Sequence, residues 1–162
     1  MRSHESSSAQ ISCLLLPMKH TDFLLPNTSV AEIIEYSEPT PLPDGPVWLA
    51  GHIQWRGQQV PLVQAEAMDG NENNLIREGG RIAVTNGVGE HHQAQPFIAF
   101  VTRGLPRLVK VKSEEIAPSE NVGENKPGDP VISMYVTFSG EEVIIPDLEY
   151  MEQCIYEAVK TA

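Results

Sequence analysis

The chain has 162 residues, 41% of them hydrophobic and 20% charged, which places it among ordinary globular domains and excludes disordered and collagen-like classes. Lys and Arg number 11 against 22 Asp and Glu, a formal charge of −11, so a nucleic-acid backbone or an anionic membrane is a poor partner for it. The length suits one domain, or two small subdomains around one core.

Residues 1–10 are polar and Ser-rich and read as a disordered tail. They lack the apolar stretch of a signal peptide, and the run Leu14, Leu15, Leu16 is cut by Pro17, so neither export nor membrane insertion is encoded there. Ile11 to Met18 and Thr21 to Pro26 are apolar runs separated by Lys19 and His20, which predicts two short strands joined by a tight connection. Ser29 and Glu32 have capping-box spacing ahead of Val30, Ile33 and Ile34, which predicts a short helix near residues 29–35. Pro39, Pro41, Pro43 and Pro46 then stiffen an extended loop from Ser37 to Pro46.

From Val47 to Trp55 the residues Val47, Leu49, Gly51, Ile53 and Trp55 fall on one side of a strand and form the better core face; Trp48, Ala50, His52, Gln54 and Arg56 fall on the other. Arg56 and Gly57 make a turn, with glycine supplying positive φ, and Gln58 to Val63 return as the partner strand. A polar loop from Asp69 to Gly80 marks the expected boundary between two halves.

The second half opens with a strand over Arg81 to Asn86, a loose loop from Gly87 to Gln95, and strands over Pro96 to Thr102 and Leu105 to Val111. A polar loop from Ser119 to Pro130 precedes a hairpin, Val131 to Phe138 and Glu142 to Pro146, turning at Ser139 and Gly140. Asp147 caps a final helix whose stripe is Leu148, Met151, Ile155, Ala158 and Val159. Short strands with Gly and Pro punctuation point to small barrels or sandwiches.

Little catalytic chemistry emerges from the spacing of polar residues. His91 and His92 with Glu90 are the one metal candidate, yet neighbours in an extended chain point to opposite sides. Cys13 and Cys154 stand in apolar surroundings, without neighbouring ligands, and read as reduced core residues. Glu114, Glu115, Glu141 and Glu142 read as surface charge, and Arg103, Arg107, Lys110 and Lys112 as the solvated face of a strand. No nucleophile elbow or phosphate loop is present.

One continuous segment carries a signature: Leu42-Pro43-Asp44-Gly45-Pro46-Val47-Trp48-Leu49-Ala50-Gly51-His52-Ile53-Gln54-Trp55-Arg56-Gly57-Gln58-Gln59-Val60-Pro61-Leu62-Val63. It is preceded by Phe23-Leu24-Leu25-Pro26 and by Val30-Ala31-Glu32-Ile33-Ile34. This order of pieces resembles the CheW-like coupling proteins, over residues 11–68 in particular, and Val143 to Leu148 resembles the family's closing strand. The chain departs from the family pattern at Val101-Thr102 and Gln64-Ala65, as a divergent branch would, and looks closest to ChpC-type members of pilus-linked chemosensory systems.

The resemblance implies a mainly β fold of two SH3-like five-stranded barrels with a shared hydrophobic core. The expected arrangement is a single domain over 11–162, with subdomains at 11–68 plus the C-terminal segment and at 81–146. It further implies a cytoplasmic adaptor with no catalytic centre, cofactor or metal, bridging a chemoreceptor's cytoplasmic tip and the regulatory domain of a CheA-type histidine kinase. Arg56, Gly57, Trp48, Gln54 and Gln58 are the expected partner-binding residues, with Arg56 foremost. The competing expectations are a small β-barrel metal-dependent hydrolase using His91, His92 and Glu90, and a ligand-binding barrel.

Overall fold

The computed structural model describes residues 9–118 and 131–161; most of the expected tail, and all of the expected Ser119 to Pro130 loop, lies outside them. Eleven strands are described, followed by one helix. They are β1 (Gln10–Leu16), β2 (Phe23–Pro26), β3 (Val30–Glu35), β4 (Leu49–Trp55), β5 (Gln58–Val63) and β6 (Arg81–Asn86), then β7 (Phe97–Thr102), β8 (Arg107–Lys112), β9 (Ile116–Pro118), β10 (Ile132–Phe138) and β11 (Glu141–Pro146), with α1 at Leu148–Thr161. The strands form a six-stranded sheet ordered β8-β1-β2-β11-β10-β9 and a five-stranded sheet ordered β3-β6-β7-β5-β4. This is the expected mainly β, two-lobed architecture of SH3-like type. Short β9 gives the first lobe a sixth strand.

The lobes do not divide where the polar loop predicts. β4 and β5, before Asp69–Gly80, share a sheet with β6 and β7, after it, because β5 pairs in parallel with β7 through Leu62 and Val63. The chain starts in one sheet, builds the other from residues 30–102, and returns. A polar loop marks an excursion to the surface, not a change of sheet.

The expected helix near residues 29–35 is a strand. Asn27–Ser29 form one 3-10 turn, and Val30 to Glu35 then pair antiparallel with β6. Capping-box spacing is a local signal, whereas the β-branched Val30, Ile33 and Ile34 suit a pleated surface once a partner strand exists.

A single apolar cluster joins the lobes: Leu16, Phe23 and Leu25 from the first, Ile53, Leu62, Ile82 and Phe100 from the second, and Met151 and Ile155 from α1. Phe23 meets Phe100 edge to face at 6.1 Å between ring centroids. A smaller cluster of Cys13, Leu15, Leu24, Val111, Val136 and Val143 fills the first lobe alone. Cys13 and Cys154 are both free thiols. α1 starts as predicted, Asp147 Oδ1 accepting from Tyr150 N at 3.0 Å. Among the described residues no helix is long and apolar enough to cross a membrane.

Candidate functional site

The β4–β5 hairpin projects the candidate site. Its inward face is Leu49, Gly51, Ile53 and Trp55, all buried, as the alternation predicts. Val47 departs from the pattern: it lies in a turn ahead of the strand and is exposed, because Leu49 N closes a turn onto Pro46 O at 3.0 Å. Gly51 has φ +140, and a Cβ there would stand 2.0 Å from Thr40 O. The Pro-rich loop is laid that closely against β4, through Thr40 N to His52 O at 2.8 Å and His52 N to Thr40 O at 2.9 Å.

At the tip, Arg56 has φ 49 and Gly57 φ 76. Positive φ at both central residues of a two-residue loop is the turn whose twist matches that of its strands. The hairpin β10–β11 repeats the device with Ser139 at φ 54 and Gly140 at φ 79.

Three side chains brace the tip. Trp55 Nε1 donates to Glu32 Oε1 at 2.8 Å, Arg56 Nη2 donates to the same oxygen at 3.2 Å, and the guanidinium carbon lies 4.7 Å from the Trp55 ring centroid. Phe97 closes on Trp55 from the other side, edge to face at 4.8 Å. Glu32 stands on β3 and Trp55 on β4, the two ends of the five-stranded sheet. Their contact therefore bridges the two ends of the curled sheet through side chains, in the sense in which a barrel closes. Arg56 remains 64% exposed at its side chain, so most of its five donors face outward.

Arg56, Gly57, Gln54 and Gln58 come together at this end of the hairpin, all exposed, with Gln58 paired to Trp55 and Gln54 to Gln59. Trp48 does not join them. It sits at the far end of β4, roughly 20 Å away along a seven-residue strand, half-buried against the shared core. Behind the hairpin a cleft of ≈ 290 Å³ is lined by His52, Gln58, Pro61, Phe97, Tyr156 and Lys160. Burial pushes the His52 pKa below its ordinary value.

The loop expected to be loose from Gly87 to Gln95 is docked on α1. Glu152, 1% exposed, accepts from Val88 N at 2.7 Å and Gly89 N at 2.8 Å, and its own backbone oxygen accepts from Gln95 Nε2 at 3.1 Å. The His91 ring stacks on Tyr156 at 3.8 Å, with its Nε2 2.9 Å from Gln153 Oε1 and 3.5 Å from Glu90 Oε2. The His92 ring turns instead to Gly89 O, 3.0 Å away. The two imidazoles are thus spent on separate contacts, and the described residues hold no cluster of three or more His, Cys, Asp or Glu groups fit for a metal.

A second polar knot ties the lobes together. Glu66, after β5, accepts from Lys19 N at 2.6 Å and His20 N at 3.0 Å, in the turn between β1 and β2. His20 Nε2 lies 3.0 Å from Asn74 Oδ1, and Lys19 Nζ reaches Asn73 O. Burial raises the Glu66 pKa, opposed by those two backbone bonds and by the charges of His20 and Lys19. Sequence spacing pointed to neither Glu66 nor Glu152. The signal for Glu152 was present: with Leu148, Ile155 and Val159 it lies on one helical stripe, where a carboxylate needs buried donors.

Comparison with known proteins agrees with this architecture. Residues 12–153 match the CheW-like domain. The fold is also that of the scaffolding protein TtCheW from Thermoanaerobacter tengcongensis, with a TM-score of 0.71 at 15% identity over 88% of this chain and 92% of that one. No curated protein matches the sequence.

Proposed function

Because this chain belongs to the CheW-like domain family, a family of scaffolding domains and not of enzymes, we propose that it couples a chemoreceptor to a CheA-type histidine kinase in the cytoplasm. In this reading one surface takes the cytoplasmic tip of the receptor's helical hairpin, another takes the kinase's regulatory domain, and the pathway is a chemotactic or pilus-motility one. Arg56, Gly57, Gln54 and Gln58 form the contact at the hairpin tip, with Trp48 contributing from the far end of β4. The observation that carries the reading is the brace of Trp55 and Glu32 on Arg56, which orders one face of a guanidinium and leaves the other free. A planar fork held so, with little entropy left to lose, suits a carboxylate or a helix C-terminus on a partner.

Calorimetry with a receptor-tip fragment and with the kinase regulatory domain tests it. Arg56→Glu is expected to weaken at least one partner about tenfold or more while the fold persists, since an exposed ion pair is worth about 0–1 kcal/mol. Swapping the pair, Glu32→Arg with Arg56→Glu, should restore the ion pair but neither the acceptor for Trp55 Nε1 nor the affinity. Unchanged affinity of Arg56→Glu for both partners would remove the tip from the site.

A further inference from the structure

We propose that the free edge of β8 is a docking edge for an extended acidic segment of another protein, added as a further strand of the six-stranded sheet. β8 ends that sheet: among the described strands it pairs with β1 alone, from Gln10 opposite Lys112 to Leu15 opposite Arg107. Among the described residues no strand lies beside its other edge, where only Lys112 N, at the strand's end, is already taken, donating to Glu115 Oε1 at 2.8 Å; an extended chain satisfies the rest of such a row.

The charge on this edge selects the occupant. Arg103, Arg107, Lys110 and Lys112 fall within ten residues that hold no Asp or Glu, in a chain with 22 acids against 11 cations. None of the four takes part in an ion pair among the described residues; those pairs are Arg56 with Glu32 and His91 with Glu90. Lysines on an edge strand commonly serve to keep like edges apart, and here they would set a second copy of β8 against its own charges. The same cations favour a strand that places carboxylates opposite them.

Simple repulsion does not account for the leucines. Leu105 and Leu108 are 65% and 59% exposed, among the most exposed large apolar side chains of the described residues. Leu108 shares the outward face of β8 with Lys110 and Lys112 and stands opposite Leu14. An alternating acidic and aliphatic strand would meet both features. A peptide is also favoured over an anionic membrane: it touches only the basic strip, within a Debye length of about 8 Å, whereas a surface meets the field of the whole chain.

Binding of fluorescent twelve-residue peptides to the full chain tests this. The array holds sequences alternating Glu or Asp with Val or Leu, their Lys-substituted counterparts, and counterparts with Pro at alternate positions. The expected result is that the acidic, Pro-free set binds and weakens steeply with salt. Lys110→Glu with Lys112→Glu should weaken it tenfold or more, and Leu108→Ala should weaken it without changing the salt dependence. Circular dichroism of each variant reports the fold, and the Arg56 tip, on the other lobe, should keep its partners. Hydrogen exchange at β8 amides should slow in the complex. Equal binding of the Pro-interrupted set, indifference to the charge reversal, no binding by any acidic sequence, or binding only to phosphatidylserine vesicles would each overturn the proposal.

Discussion

Removing the Glu152 carboxylate should both destabilise the protein and free the loop after β6. In the folded chain Glu152 holds Val88 N and Gly89 N at 2.7 and 2.8 Å, in a place where only 1% of the residue is exposed. A hydrogen bond to a charged group contributes about 1.5–3 kcal/mol, and a buried donor left without a partner costs about 1–3 kcal/mol. Two such donors bound the loss in Glu152→Ala at about 2–6 kcal/mol, less what is regained by no longer burying a charge. For a chain of this size that lowers the melting temperature by roughly 4 °C or more, at about 2–4 °C per kcal/mol. Glu152→Gln keeps one acceptor oxygen but turns an NH2 toward the second donor, so its loss should fall between parent and Ala. Urea unfolding measures the stability, and hydrogen exchange at Val88 and Gly89 tells whether the loop has left the helix. An Ala variant within about 0.5 kcal/mol of the parent, with both amides still protected, would refute the assignment of this carboxylate as the loop's anchor.

Gly51→Ala should cost more than about 2 kcal/mol in the same unfolding assay, the class of loss that follows strain at a special φ, because its Cβ would collide with Thr40 O and break the loop from β4. The raised pKa of Glu66 sets a pH dependence. Between the ordinary glutamate pKa and the raised folded value, the folded protein holds a proton that the unfolded chain has released, so stability falls as pH rises through that window. Glu66→Gln should flatten this slope in urea titrations across the acidic range, and a slope unchanged by the substitution would assign it elsewhere.

Features written within a few residues were legible in the sequence. Arg56-Gly57 and Ser139-Gly140 announced their hairpins, alternation from Leu49 to Trp55 gave the buried face, and Asp147 marked the helix start. What failed was what depends on distant partners. Ser29 and Glu32 mimic a capping box, but Glu32 is needed on a strand, where it reaches Trp55 and Arg56 across the closure of the second lobe. The Asp69–Gly80 loop reads as a boundary because nothing local tells that β5 will lie beside β7. Gly87 to Gln95 reads as loose because its anchor lies 57 or more residues onward, in α1. The candidate site was legible as a turn and a charge, while the brace that orients the charge was not.

The return of the chain to its first sheet has a consequence for the order in which it is made. A nascent chain exposed as far as residue 102 has every strand of the five-stranded sheet in hand. Phe23, Leu24 and Leu25, synthesised long before, must wait for β11, which comes more than a hundred residues later, to take its place beside β2. A domain built this way leaves one edge of β2, paired with β1 on the other, without its neighbour until β11 has been made, an interval in which such chains are open to aggregation or to a chaperone.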